Sequence, residues 1–228
     1  MKSMVFDTGP IISLTVNNLL WLLEPLQKRF KGEFYITKAI EAELIKRPLE
    51  SKRFKFEALQ VLQHIRNGNL RVVGNSEIHS KALRLLSLAN QSFKAYNHYI
   101  SIVSYAEMEV LAAALHLDSS ALVVDERTTR VLVERPLLLR KILGRKLHTH
   151  MEVHNGNIRE FQKEAKIRVL RSVELVTIAY EMGLLDEYIA EIPNPRRTLL
   201  ESVLWGVKLN GCAVSVSEIE EILRLEVK

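Results

Sequence analysis

Two aspartates fall where a carboxylate can do chemistry. Asp7 ends the apolar run Met4-Val5-Phe6, and Asp125 ends Ala121-Leu122-Val123-Val124. Short apolar runs bounded by turn formers suit strands of a parallel sheet covered on both faces. The carboxyl edge of such a sheet is where ligands bind. If the two strands are neighbours, Asp7 and Asp125 lie about 5–10 Å apart, given a strand spacing of ~4.8 Å. Two carboxylates ~4 Å apart repel by about 4 kcal/mol at an effective dielectric of about 20, so such a pair needs a cation or a shared proton. A hard divalent ion with oxygen ligands, Mg²⁺ or Mn²⁺, meets that need. The competing reading of each aspartate is a turn former or helix N-cap.

Further acids come in pairs. Glu107 and Glu109 open the helix leading to the second apolar run, and Glu41 and Glu43 ride on a helix after Thr37. Residues two apart stand about 200° from each other around a helix, so only one of each pair can face a given ion. Spacing alone leaves both choices open.

The elements that must carry these groups alternate. Residues 11–30 read as a helix ended by Gly32. Residues 34–36 read as a strand, followed by a helix capped by Thr37 and stopped by Pro48. Phe56, Leu59, Leu62 and Ile65 recur at helical spacing, 70–73 is a third strand candidate, and a helix follows over 81–93. The polar aromatic stretch Tyr96-Asn97-His98-Tyr99 carries no clear signal. Residues 107–115 are strong helix formers. Residues 126–166 are basic and mostly helical, 167–170 is a last strand followed by a helix to Gly183, and two further helices close the chain, one over 198–207 and a final one capped by Ser215 with Glu218 or Ser217 with Glu220. The alternation gives an α/β protein with a mainly parallel sheet. One domain is expected over 1–228, with helical insertions at about 46–100 and 131–166.

Composition narrows the class. The chain has 228 residues, a formal charge of +5 and one cysteine, Cys212, in an apolar setting that suits a reducing cytoplasm. No apolar run reaches the ~20 residues of a membrane span, and no cleavable leader is evident, so a cytoplasmic protein with no membrane partner is expected. Basic residues cluster at Lys46, Arg47, Lys52 and Arg53, and at Arg140, Lys141, Arg145 and Lys146. Such clusters suit a polyanion or, more plainly, solvated helix faces.

Taken together, Val5-Phe6-Asp7-Thr8-Gly9-Pro10-Ile11-Ile12, Glu43-Leu44-Ile45, Glu107 before Val110-Leu111-Ala112-Ala113-Ala114, and Leu122-Val123-Val124-Asp125-Glu126-Arg127 with Arg130 resemble the four acidic blocks of PIN domains, a family of metal-dependent nucleases that includes toxin ribonucleases. The resemblance implies a three-layer α/β/α sandwich and a Mg²⁺ or Mn²⁺ site formed by Asp7, Glu43, Glu107 and Asp125, with Thr8 assisting. It implies hydrolysis of RNA in preference to DNA, with the basic residues above and Arg127 and Arg130 on the phosphate backbone. An antitoxin protein and a homodimer are partners it allows. Glu stands where the third acid is commonly Asp, and the insertions exceed those of compact toxins, which weighs on the toxin role. The alternative is a catalytically silent PIN-like module for RNA binding or assembly.

Other classes fit less well. Asp7-Thr8-Gly9 is also the signature of aspartic proteases, but no second Asp-Thr-Gly or Asp-Ser-Gly occurs, and the chain is helical. An aspartate-nucleophile phosphatase wants an acid where Gly9 stands. Glycine-rich dinucleotide and phosphate loops are missing.

Overall fold

The computed structural model describes residues 2–227. Its strands are β1 (Ser3–Phe6), β2 (Glu33–Thr37), β3 (Arg71–Val73), β4 (Phe93–Ala95), β5 (His98–Tyr99), β6 (Ala121–Val123), β7 (Glu152–Val153) and β8 (Val169–Leu170). Five of them form a parallel sheet in the order β3-β2-β1-β6-β8, flanked by helices as a three-layer α/β/α sandwich. The chain builds outward from β1 to β3 on one side and then from β6 to β8 on the other. The switch point therefore lies between β1 and β6, at the carboxyl ends carrying Asp7 and Asp125.

Burial explains the all-apolar strand sequences. Val5, Phe6, Leu122 and Val123 are fully enclosed, as strands covered on both faces require. Helix Tyr105–His116 packs across β1, β2 and β6, and its alanines Ala112, Ala113 and Ala114 let the backbone lie close to the sheet. Helix Thr8–Val16 packs against helices Ser172–Glu181 and Pro195–Leu209. Pro10 sits in its first turn, where the missing N–H has no partner to lose.

Several local elements depart from the sequence expectations. The expected helix over 11–30 is two helices, Thr8–Val16 and Leu23–Phe30, because the chain breaks at Asn17 and at Asn18, whose φ is 56°. Pro48 does not stop the helix after Thr37. The chain passes through a π-helical turn, Ala42–Lys46, and continues to Glu50. A proline cannot donate to the carbonyl four residues back, and a wider turn accommodates that loss. Helix Lys55–Arg66 buries Ala58 and Val61, with Leu62 and Ile65 packed against the core, while Phe56 and Leu59 are 70% and 51% exposed. The apolar stripe read from the sequence is thus rotated partly into solvent.

The stretches expected as helical insertions are tied together. Tyr96 and Asn97, with φ of 48° and 65°, form a two-residue turn between antiparallel β4 and β5, as the twist of a tight hairpin demands. β4 also pairs with β7, matching Phe93 to Val153. Arg84 on helix Ser76–Asn90 reaches Glu160 and, at 2.8 Å, Glu164 on helix Asn155–Glu164. The first stretch also supplies β3 to the main sheet, so it is not purely helical. At the carboxyl end Ser215 and Glu218 form the reciprocal cap of helix Val216–Glu226. Among the described residues no helix is long and apolar enough to cross a membrane.

Candidate carboxylate site

Asp7 leaves β1 and precedes the first turn of helix Thr8–Val16, so its carboxylate stands at the positive end of a helix while nearly enclosed, with 7% exposure. Burial pushes its pKa up and the Thr8 N–H pulls it down. Glu107 and then Glu43 push it up again, and the result is about 7 against an ordinary 3.8. The carboxyl is thus poised near neutrality by desolvation and by two neighbouring acids.

Each neighbour is held by its own element. Glu43 sits in the π-helical turn, where its Oε2 accepts from Thr8 Oγ1 at 2.7 Å and its Oε1 lies 3.8 Å from Arg47. Glu41, on a different face, pairs with Lys46 at 3.5 Å. Glu107 closes a capping box with Ser104 at the start of helix Tyr105–His116, and its other oxygen accepts from the buried Thr129 hydroxyl. Glu109 is turned inward, accepting from the Ala39 N–H at 2.9 Å and the Tyr105 hydroxyl at 3.1 Å. The 200° separation on the helix thus gives Glu107 to the cluster and uses Glu109 to secure helix Lys38–Glu41.

Asp125 is not brought into this group. It is 2% exposed, and its carboxylate accepts from Ser13 Oγ at 2.9 Å and from Ser172 N and Oγ, both at 2.7 Å. Register supplies the reason. Phe6 pairs with Val123, so Asp7 lies opposite Val124 and Asp125 one step further along, and successive side chains on a strand face opposite ways. The two strand ends still meet closely. A Cβ on Gly9 would stand 3.2 Å from Asp125 Cβ and 3.9 Å from Asp7 Oδ2, so glycine keeps this crossing open. Cys212 lies buried beside Asp125, and burial together with that carboxylate's charge pushes its thiol up to about 12.

The cations fall in separate places. Arg47 borders Glu43 while Lys46 pairs with Glu41, and exposed Lys52 and Arg53 follow on the next loop, with Arg53 5.1 Å over the Phe54 ring. Arg127 and Arg130 belong to helix Arg127–Glu134, whose Thr129 bonds Glu107. The Arg130 Nε is buried and has no hydrogen-bond partner among the described residues. Arg140, Lys141, Arg145 and Lys146 lie on helix Pro136–Leu147, where Arg140 is tied to the Met151 carbonyl and faces His150.

The donor set of Asp7, Glu43, Glu107 and the Thr8 hydroxyl is all oxygen, which fits a hard divalent cation. Among the described residues, however, no group of three or more His, Cys, Asp or Glu side chains closes on a single point suited to a metal ion. Glu43 and Glu107 are each oriented by a threonine hydroxyl, that of Thr8 and that of Thr129, and an ionised carboxylate that accepts one such bond keeps further lone pairs. Sequence reasoning missed Thr129, Ser13 and Ser172, which no local pattern marks. It also passed over Ser104-x-x-Glu107, a readable capping box. No family model, curated protein or solved structure matches this chain.

Proposed function

We propose that the chain is a Mg²⁺- or Mn²⁺-dependent nuclease of the PIN type that hydrolyses RNA at the Asp7, Glu43 and Glu107 cluster. The observation that carries the reading is Asp7 itself, at the switch point of a parallel sheet with its pKa lifted to about 7 by burial and two facing acids. Like charges gathered at a ligand-binding edge imply a cation partner. When bound, the ion would supply an activated water and charge stabilisation on the scissile phosphate.

The protein's own groups do the remainder. Asp7, Glu43 and Glu107 offer the ligating oxygens, and Thr8 and Thr129 orient the two glutamates. Arg47 beside Glu43 brings countercharge for backbone phosphates to the cluster, and Arg127 and Arg130 stand on the helix that carries Thr129. Asp125 acts through position, locking the β6 end to helices Thr8–Val16 and Ser172–Glu181. A toxin role with an antitoxin partner rests on the resemblance alone.

One observation favours the second reading, a silent RNA-binding module: both glutamates already have hydroxyl partners. Incubation of a fluorescent single-stranded RNA with Mn²⁺ separates the two. Wild type should cleave and Asp7→Asn should lose at least about a hundredfold in rate, the scale of removing one electrostatic contributor to a transition state. Equal, slow processing by both proteins, with binding retained, would overturn the nuclease reading.

A further inference from the structure

Beside the carboxylate cluster lies an apolar pocket of about 130 Å³, lined by Ile12, Val16, Leu44, Phe54 and Val61 with Glu43 and Glu57 among its walls. It is smaller than the ~300–1,000 Å³ of pockets that enclose drug-sized ligands, and so suits one planar group. Phe54 is 49% exposed and holds a left-handed backbone, φ 62°, which an aromatic residue adopts rarely. Ser51 braces this loop, its Oγ lying 3.0 Å from the Pro48 carbonyl and 2.7 Å from that of Arg53 while accepting from the Arg53 N–H. The Arg53 guanidinium covers the Phe54 ring at 5.1 Å. A ring held at a pocket mouth with a stacked guanidinium is how single-stranded RNA bases are received.

We propose that this pocket is a nucleobase site, with guanine as its ligand, and that it sets which phosphate of the strand reaches the carboxylates. The proposal rests on the reading of the chain as an RNA nuclease. Glu57 makes no ion pair among the described residues, and its carboxylate offers two parallel acceptors. Guanine alone presents two adjacent donors, N1–H and N2–H₂, on its Watson–Crick edge. Uracil presents one donor between two carbonyls, which a carboxylate repels. Arg47, Lys52, Arg53 and Lys55, all exposed along the flanking segment, supply countercharge for the phosphates that accompany the base. Glu43 belongs to both the pocket and the cluster, so a base seated here fixes the register of the chain past Asp7.

The test is a titration of the full chain, labelled at the Ile and Val methyls, with GMP, AMP, CMP and UMP in metal-free buffer. GMP should shift the Ile12, Val16 and Val61 methyls saturably, at a Kd at least about fivefold below that of UMP, and Phe54→Ala should weaken it by about five- to a hundredfold. Phe54→Leu, which keeps apolar bulk without the ring, should lose most of that affinity, and Glu57→Gln should erase the preference for GMP. The methyl spectra of the variants report whether they remain folded. Silence of these methyls with all four nucleotides, equal affinity for all four, or GMP binding unchanged in both folded Phe54 variants would overturn the proposal. RNA cleavage with silent methyls rejects the pocket and keeps the nuclease, whereas GMP binding without Mn²⁺-dependent cleavage does the reverse.

Discussion

Asp7 and Asp125 end neighbouring strands, yet they face opposite demands. Asp125 has the Ser172 N–H and two hydroxyls aimed at it, and it joins β6 to the helices that follow β1 and β8. Asp7 has two carboxylates facing it and a pKa lifted to about 7. A satisfied buried carboxylate secures the fold, whereas one set against like charges is held in tension that a cation or proton can relieve. The difference arises from one residue of register, which sends the two side chains to opposite faces.

The largest expected effect sharpens the Asp7 side. Above the ordinary pKa of Asp the folded chain keeps a proton that the unfolded chain has lost. More protons are then bound in the native state, and stability falls as pH rises. In metal-free buffer wild type should lose stability from about pH 4 to about pH 7, by at most about 4 kcal/mol. Asp7→Asn should flatten that limb, matching wild type at the acid end and exceeding it above neutrality. Urea titrations at both ends of the window check this, and parallel pH profiles for the two proteins would break the comparison.

A somewhat smaller effect sharpens the Asp125 side. Asp125→Ala strands the Ser172 N–H and hydroxyl in a closed site and leaves the Ser13 hydroxyl only its longer bond to the Asn210 carbonyl, and should cost about 3 kcal/mol of unfolding free energy. The loss should be similar with and without Mn²⁺, because this carboxylate faces hydroxyls rather than the cluster. Equilibrium unfolding with either buffer measures it, and a loss confined to Mn²⁺-containing buffer would return Asp125 to the cluster.

Central strands β1 and β6 were legible because strands covered on both faces need apolar runs, whereas the edge strands β3 and β8 are more exposed and showed only as short apolar pairs beside Arg71 and Arg168. β4, β5 and β7 were not legible, since they are two or three residues long and their hairpin turns on Tyr96-Asn97 rather than on a glycine pair. Within the site, helical spacing established that only one of Glu107 and Glu109, and one of Glu41 and Glu43, could face a shared point. Which one faces it depends on helix rotation against the sheet, a tertiary property. Ser13, Thr129 and Ser172 were hidden for the same reason, because their partners lie 112, 22 and 47 residues away along the chain.

The central claim is that Asp7 belongs to a cation site and Asp125 does not. Mn²⁺ binding to metal-free wild type, Asp7→Asn and Asp125→Asn, followed by the loss of the free-ion electron paramagnetic resonance signal, tests it most directly. Wild type and folded Asp125→Asn should bind Mn²⁺ alike, and Asp7→Asn should bind at least about tenfold more weakly. Unchanged affinity in Asp7→Asn, or an equal loss in folded Asp125→Asn, would contradict it.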